Sequence, residues 1–203
     1  MANSKNPKGY FKYILAIDCE TSGLFFGSDN PSQRDDQYYQ PLSWGVVVVD
    51  TDTLTEIERL YVEIKWDGIA LFDDNTIKVH GLSKQHLENH GVSEEDACVA
   101  IGSLIVKYWE TTPVVVLGHN VVSFDLPFIK SMMRRHGIEL SFGNRHVDTN
   151  SASFVALGSY TSDEMFNLIG LEDRSIHNAL DDILMTVEAA RTIRLLVNDA
   201  IGS

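Results

Sequence analysis

Cysteine is scarce in this chain, and long apolar segments are absent. Its two cysteines, Cys19 and Cys98, match neither a zinc-binding spacing nor a disulfide framework. This suits a reducing compartment, although the two thiols could pair with each other. No segment approaches the roughly 20 consecutive apolar residues that a membrane-spanning helix needs, and residues 1–9 lack the apolar core of a signal peptide. We therefore expect a soluble, cytoplasmic protein without membrane contact.

Positive charge is also scarce. The chain has 16 Lys and Arg residues against 29 Asp and Glu residues, which gives a formal net charge of −13. Proteins hold nucleic acids tightly through Lys and Arg on the phosphates, so this composition argues against tight, long-lived, non-specific DNA binding. Part of the negative charge lies in the acidic segments described below, which bound cations would neutralise. A distributive enzyme that holds a strand end fits this charge better than a processive clamp.

Internal repeats, low-complexity tracts and domain linkers are absent as well. With 203 residues, 44% of them apolar and 22% charged, the chain has the size and composition of one globular domain. We predict a single domain over residues 1–203, with residues 1–10 as a flexible tail. Residues 25–41 are polar and longer than most connections, which predicts a surface loop. Its Arg34, Tyr38 and Tyr39 could stack on bases or guide a single strand, or the loop is a plain insertion.

The spacing of apolar residues predicts an α/β fold with a mixed sheet. Short apolar or alternating runs predict strands at residues 13–18, 44–50, 59–65, 114–117 and 145–149. Helical spacing and capping residues predict helices at residues 76–91 (in short pieces), 93–108, 125–136, 151–157, 163–169 and 179–197. Ligands bind beyond strand ends in such sheets, and three acidic segments fall there.

The first acidic segment carries Asp18 and Glu20 at the end of the first strand. Residues two apart on a strand project to the same face, so both carboxylates point one way and Cys19 points the other. Neighbouring carboxylates repel each other unless a cation offsets their charge or one of them takes a raised pKa. The alternative is a strand that ends in a polar turn.

The second acidic segment carries Asp125, beyond the fourth strand and a glycine turn at Gly118. The apolar residues Phe124, Leu126 and Phe128 could anchor this segment in the core. The alternative is that Asp125 only caps the helix that starts at Leu126.

The third acidic segment separates two adjacent acids at the start of the last helix. Asn178 is a good N-cap, and Asp181 is placed to close back on it as in a capping box. Asp182 lies about 100° further round the helix and is left to face elsewhere. His177, just before the helix, can reach the same space, although a lone histidine there is usually solvated. We assign Asp182 to metal binding and Asp181 to the helix end.

Together these residues have the chemistry of a two-metal phosphodiester-cutting site. Carboxylate ligands without cysteine favour Mg²⁺ or Mn²⁺ over zinc. Two such ions, about 4 Å apart, can hold an attacking hydroxide and stabilise the leaving oxygen. His177 can take the proton from the attacking water, because imidazole titrates near neutral pH.

Three motifs, in this order, resemble those of the DEDDh exonucleases, which are ribonuclease H-like 3′→5′ exonucleases. The motifs are Asp18 to Leu24, His119 to Asp125 with Phe128, and the spacing of His177 and Asp182. The resemblance spans about residues 13 to 195, and Val147 to Thr149 resembles the strand before the third motif. It implies a ribonuclease H-like fold with a five-stranded mixed sheet, three antiparallel strands followed by two parallel ones.

The resemblance also implies a role for each motif residue. Asp18, Glu20, Asp125 and Asp182 would bind two divalent cations, Mg²⁺ or Mn²⁺, and His177 would be the general base. The residues implied to hold the terminal nucleotide are Thr21, Ser22, Gly23, Leu24, Asn120 and Phe124. For Asn120 and Phe124 a packing role is equally open.

The function expected from these features is metal-dependent 3′→5′ exonuclease activity that releases nucleoside 5′-monophosphates, with single-stranded DNA favoured over RNA. The alternatives are an oligoribonuclease, a ribonuclease H-type endonuclease and a non-catalytic nucleic-acid-binding module. Lys130, Arg134 and Arg135 offer either a small basic patch for the strand backbone or an ordinary solvated face. No polymerase-binding tail follows the last helix, so the sequence indicates no polymerase or replication partner.

Overall fold

The structure is a computed structural model that describes residues 11–24, 38–110, 112–171 and 176–202. In these ranges the strands are β1 (Tyr13–Thr21), β2 (Pro41–Asp50), β3 (Glu56–Glu63), β4 (Val116–Gly118) and β5 (Val147–Asp148). They form a five-stranded sheet in the order β3-β2-β1-β4-β5. The β1–β2 and β2–β3 pairs are antiparallel, and the β1–β4 and β4–β5 pairs are parallel. The predicted mixed sheet of three antiparallel and two parallel strands is therefore confirmed.

Helices cover both faces of this sheet. They are α1 (Ile77–His80), α2 (Lys84–His90), α3 (Glu94–Tyr108), α4 (Asp125–Arg135), α5 (Thr149–Leu157), α6 (Ser162–Leu168) and α7 (Ala179–Ile201). Leu15 and Ile17 of β1 pack with α3 and α4 on one face. Ile14 and Ala16 pack with Ile183 of α7 on the other. Alternate residues of one strand thus serve two cores, which is why the middle of β1 is apolar throughout.

Several element bounds differ from those predicted. The third strand ends at Glu63, because Ile64 forms an isolated parallel bridge with Val92 instead. The fourth strand begins at Val116, because Val114 forms an isolated bridge with Phe142. The last helix continues to Ile201, four residues beyond the predicted end. In each case the bound depends on pairing or packing with distant residues, which local spacing does not encode.

The predicted tail, residues 1–10, and residues 25–37 of the predicted loop, including Arg34, lie outside the described residues. At the described end of that loop, the Tyr38 hydroxyl donates to Asp67. The Tyr39 ring fills the space beside Gly23, where an added Cβ would come within 2.2 Å of it. The fold therefore engages both tyrosines, and the prediction that they stack on bases gains no support.

Both cysteines are buried and free, so the two thiols do not form a disulfide. Burial raises the pKa of the Cys19 thiol well above its usual range, and the neighbouring carboxylates of Asp125 and Asp18 raise it further. Among the described helices, none is both long and apolar enough to cross a membrane.

Candidate active site

A cavity of about 230 Å³ opens at the end of β1. Asp18 and Glu20 line it, while Cys19 packs into the core beneath the sheet, as the alternation of a strand requires. The β1–β2 register shifts between Glu20 and Thr21, so regular pairing ends where the carboxylates enter the cavity. The end of one strand therefore supplies two acidic groups to one space.

The start of α7 supplies the next two groups. Asn178 caps the helix, and its side chain accepts hydrogen bonds from the N–H groups of Leu180 (3.0 Å) and Asp181 (3.3 Å). Asp182 is 5% exposed and lines the cavity, whereas Asp181 is exposed. Asp181 takes part in the cap through its backbone N–H, so the cap bonds found here are those of the Asn178 side chain.

His177 lies against Asp182 in the same cavity. Its Nδ1 is 3.1 Å from Asp182 Oδ2, and its backbone N–H donates to the Val79 carbonyl oxygen at 2.9 Å. The second bond ties the segment before α7 to helix α1. The histidine is thus held by contacts at both its backbone and its ring, rather than solvated on a surface.

Glu20, His177 and Asp182 converge within this cavity. One ligand atom from each of them lies within 4.8 Å of the other two, and Asp18 lines the same space. Two carboxylates and an imidazole at this separation are a donor set that a divalent cation can bridge. Residues more than 150 positions apart in the chain therefore meet at one point.

Asp125 occupies a different position from the other acids. It is the first residue of α4 and 2% exposed, and its Oδ1 accepts a hydrogen bond from the Cys19 N–H at 3.0 Å. Burial raises the pKa of the Asp125 carboxyl to about 7. It is not among the described residues that line the cavity. We expected four carboxylates in one pocket; three line it, and the fourth holds β1 from behind.

The position of Asp125 also bears on the capping alternative. The N-cap position of α4 is Phe124, which makes no side-chain capping bond. Asp125 lies inside the helix, and its side chain contacts strand β1. The contact falls between Asp18 and Glu20, so this buried carboxylate fixes the backbone that carries both cavity acids.

The six residues expected to hold the terminal nucleotide divide into two groups. Thr21, Leu24 and Phe124 line the cavity, and Leu24 is 78% exposed. Ser22 is buried, and its hydroxyl accepts from the Gln40 N–H at 2.9 Å. Ser22 thus supports the turn after β1 from below.

Gly23 and Asn120 likewise shape turns rather than line the cavity. The Thr21 hydroxyl donates to the Gly23 carbonyl oxygen at 2.6 Å, which closes the turn between them. Asn120 is exposed, with a left-handed φ of 58°, and its N–H donates to Asp148 Oδ1 at 2.9 Å. The direct nucleotide contact expected of Asn120 therefore has no geometric support, because its backbone serves the exit from β4.

Two histidines of the cavity wall escaped the residue-level reasoning. His119 lies just after β4, with Nδ1 3.1 Å from Thr149 Oγ1 and Nε2 3.0 Å from the Tyr160 carbonyl oxygen. His80 accepts the Leu82 N–H at Nδ1, and burial lowers the pKa of its imidazole. His119 stands in the second motif, which was a signal. His80 had none, because it ends a short helix.

The predicted basic patch on α4 is largely engaged by the fold. The Arg135 guanidinium donates to both carboxylate oxygens of Glu94, at 3.0 and 2.9 Å. Lys130 Nζ lies 5.5 Å from the centre of the Phe142 ring. Arg134 is exposed. The hypothesis of a three-residue patch for the strand backbone is therefore reduced to one exposed cation.

A mixed sheet of this topology, with acids and a histidine gathered at its edge, defines a ribonuclease H-like exonuclease of the DEDD type. The family model agrees: this chain belongs to the RNase_T exonuclease family, whose model it matches over residues 15–190. The resemblance of the three motifs is thereby confirmed at the level of the family. Members of this family are hydrolases that depend on divalent metal ions.

Solved structures of E. coli exonuclease I share this fold. A complex with a dT13 oligonucleotide matches with a TM-score of 0.72 and 19% identity, covering 92% of this chain and 43% of that chain. A zinc-bound complex with single-stranded DNA gives a TM-score of 0.72 and 20% identity, covering 91% and 41%. This chain thus spans about two fifths of exonuclease I. No curated protein sequence matches the chain significantly.

Proposed function

We propose that this chain is a DEDDh 3′→5′ exonuclease that releases nucleoside 5′-monophosphates from single-stranded DNA. The observation that carries the proposal is the convergence of Glu20, His177 and Asp182 in one cavity, with Asp18 in its wall. Histidine five residues before the last carboxylate distinguishes the "h" subgroup from relatives with tyrosine at that position.

The cavity residues fit divalent metal ions. Asp18, Glu20 and Asp182 offer hard oxygen ligands, which favours Mg²⁺ or Mn²⁺. When bound, a pair of such ions supplies the Lewis acidity that activates water and stabilises the leaving oxygen. Asp125 joins this set in the proposal, because its carboxylate lies directly behind the strand that carries Asp18 and Glu20.

His177 is the proposed general base. Its Nδ1 contact with Asp182, at 3.1 Å, orients the ring and leaves Nε2 as the nitrogen that takes a proton from the attacking water. An imidazole titrates near neutral pH and can therefore accept and release this proton. The backbone bond from His177 to Val79 keeps the ring at the mouth of the cavity during both steps.

Single-stranded DNA is the proposed substrate. Its support is the shared fold with exonuclease I, which has been solved with single-stranded DNA. Thr21, Leu24 and Phe124 form the wall against which a terminal nucleotide would lie. Leu24 projects from that wall with 78% of its surface exposed, so it offers an apolar surface to a base.

The test uses adjacent acids with opposite positions at the start of α7. Asp182→Asn should lower kcat on a 5′-labelled oligonucleotide by about 100-fold or more, because it removes a charge that binds the ions. Asp181→Asn should leave kcat within about twofold, because its side chain is exposed. Wild-type product should shorten one nucleotide at a time with Mg²⁺ and stop with EDTA. Equal activity in the two variants would refute the assignment.

Two further substrates separate the related activities. A 3′-blocked oligonucleotide should resist the enzyme, whereas an endonuclease would still cut it. A matched RNA oligomer should be cleaved more slowly than the DNA. Faster release from RNA would replace the DNA assignment with that of an oligoribonuclease.

A further inference from the structure

Phe154 of α5 and Tyr160 of the α5–α6 connection form an exposed stacked pair. Their ring centres are 4.3 Å apart and the planes are inclined by 24°. Phe154 is 44% exposed and Tyr160 is 58% exposed. By contrast, Phe124 and Phe128 meet edge-on at 62° against the core. The Phe154–Tyr160 pair, called the ring pair below, therefore presents aromatic surface to solvent rather than filling the interior.

The ring pair is tied to the wall of the cavity. The carbonyl oxygen of Tyr160 accepts from His119 Nε2 at 3.0 Å, and His119 lines the cavity. The same carbonyl accepts from the Asn150 side chain at 2.6 Å. Ser162, two residues further on, lines the cavity too. The fold thus fixes the position of the rings beside the site where the terminal nucleotide would lie.

The charge of the chain gives such a surface a purpose. With a formal net charge of −13, the chain is poorly suited to hold a strand by its phosphates. Stacking of bases on aromatic rings needs no cation, tolerates any sequence and contributes about 1–3 kcal/mol per base. An exposed ring pair is therefore the kind of contact that an acidic exonuclease can use on a single strand.

We propose that the Phe154–Tyr160 pair is a stacking subsite for bases of the single strand upstream of the 3′-terminal nucleotide. This inference rests on the proposed function, because it needs a strand whose 3′ end lies in the cavity. The subsite gives affinity for strands longer than the terminal nucleotide and contributes nothing to the chemistry of the cut.

The test compares a long and a minimal substrate. Phe154→Ala and Tyr160→Ala should each raise KM for a single-stranded 12-mer by about 5- to 100-fold, the factor that one stacked base supplies. Hydrolysis of the p-nitrophenyl ester of thymidine 5′-monophosphate should stay within about twofold, since that substrate carries a single nucleotide. Equal losses on both substrates, or none on the 12-mer, would overturn the subsite.

Matched variants separate stacking from folding. Tyr160→Phe keeps the ring and should retain the wild-type KM. Val155→Ala changes an 84% exposed residue beside Phe154 and should have no effect. An abasic nucleotide at the stacked position should weaken wild-type binding and leave Tyr160→Ala unaffected. If the abasic nucleotide weakens both proteins equally at every position, the rings do not bind bases.

Binding in Ca²⁺ keeps this test independent of catalysis. The Kd of a fluorescent 12-mer, measured by anisotropy in Ca²⁺, decides the subsite. Release of nucleotides in Mg²⁺ decides the proposed function. A wild-type protein that binds the 12-mer but cuts nothing would refute the function, and loss of affinity in the alanine variants would still support the subsite. Unchanged affinity in those variants would refute the subsite whatever the activity.

Discussion

Asp125 shows at the scale of one residue how function and stability oppose each other. Its carboxylate is buried and accepts the Cys19 N–H, and burial raises its pKa to about 7. A carboxyl with a raised pKa binds more protons in the folded state than in the unfolded state. Its ionisation therefore lowers the free energy of unfolding as the pH rises from 3.8, its ordinary value, towards about 7.

Asp125→Asn should therefore stabilise the metal-free protein while impairing activity. The amide oxygen can still accept the Cys19 N–H, but the buried charge is removed. In EDTA we expect a higher Tm than wild type at pH 8 and a smaller difference at pH 4, measured by thermal unfolding. With Mg²⁺ we expect kcat to fall by about 100-fold or more, because one anionic group of the site is lost.

A second variant isolates the hydrogen bond. Asp125→Leu removes both the charge and the acceptor, so its Tm in EDTA should lie below that of Asp125→Asn. If Asp125→Asn were less stable than wild type at pH 8 in EDTA, the buried charge would not be a cost. If it kept full activity, Asp125 would have only a structural role.

At the scale of elements, the site depends on how closely α7 approaches β2. A Cβ added at Gly45 would lie 2.1 Å from the Ala179 carbonyl oxygen and 2.5 Å from the Leu180 nitrogen. These are backbone atoms of the first turn of α7, which cannot move aside without moving Asp182. Gly45 also pairs with Asp18 across the sheet. One glycine thus sets the distance between the two acidic segments.

Gly45→Ala should therefore damage both stability and activity. We expect a Tm about 5 °C lower or more, since overpacking costs about 1–3 kcal/mol. Displacement of the start of α7 should lower kcat by up to about 100-fold. Gly102→Ala is the matched control, because the nearest atom to its added Cβ is 4.0 Å away. That helical substitution should raise Tm. Equal behaviour of the two variants would contradict the close approach.

At the scale of the whole molecule, negative charge governs how long a strand stays bound. The chain carries 29 acidic residues against 16 basic ones, and the Arg135 guanidinium is paired with Glu94. Few cations are then available to displace counterions from a strand. One exonuclease I structure is described as suggesting how processivity is achieved, and this chain covers 41% of that protein.

We expect this chain to act distributively. The enzyme is first mixed with a 5′-labelled 20-mer, and the reaction is started with Mg²⁺ and a large excess of unlabelled strand. The labelled product should be shortened by one or a few nucleotides, because the enzyme dissociates between cuts. Gel analysis that found the labelled strand degraded to the end would show that the chain is processive. Low affinity should also change little with salt, with a shallow slope of log Kd against log salt.

The sequence predicted the sheet correctly because its signals are local. Val46 to Val49 form an unbroken apolar run, and that run is the buried centre of β2. The serine at position 93 caps α3, as its spacing from Asp96 predicted. The short strands β4 and β5 were the least accurate, because their pairing is decided by residues elsewhere in the chain.

What the sequence determined by itself is the chemistry available at the ends of β1, β4 and α7. Periodicity within one strand or one helix already separates Asp18 from Cys19 and Asp182 from Asp181. Only the tertiary structure put Asp125 behind β1 and joined the Phe154–Tyr160 pair to the cavity through His119. Those arrangements depend on how closely distant elements pack, which a glycine such as Gly45 permits but does not announce. Local patterns fix the face on which a side chain lies; long-range packing decides what lies opposite that face.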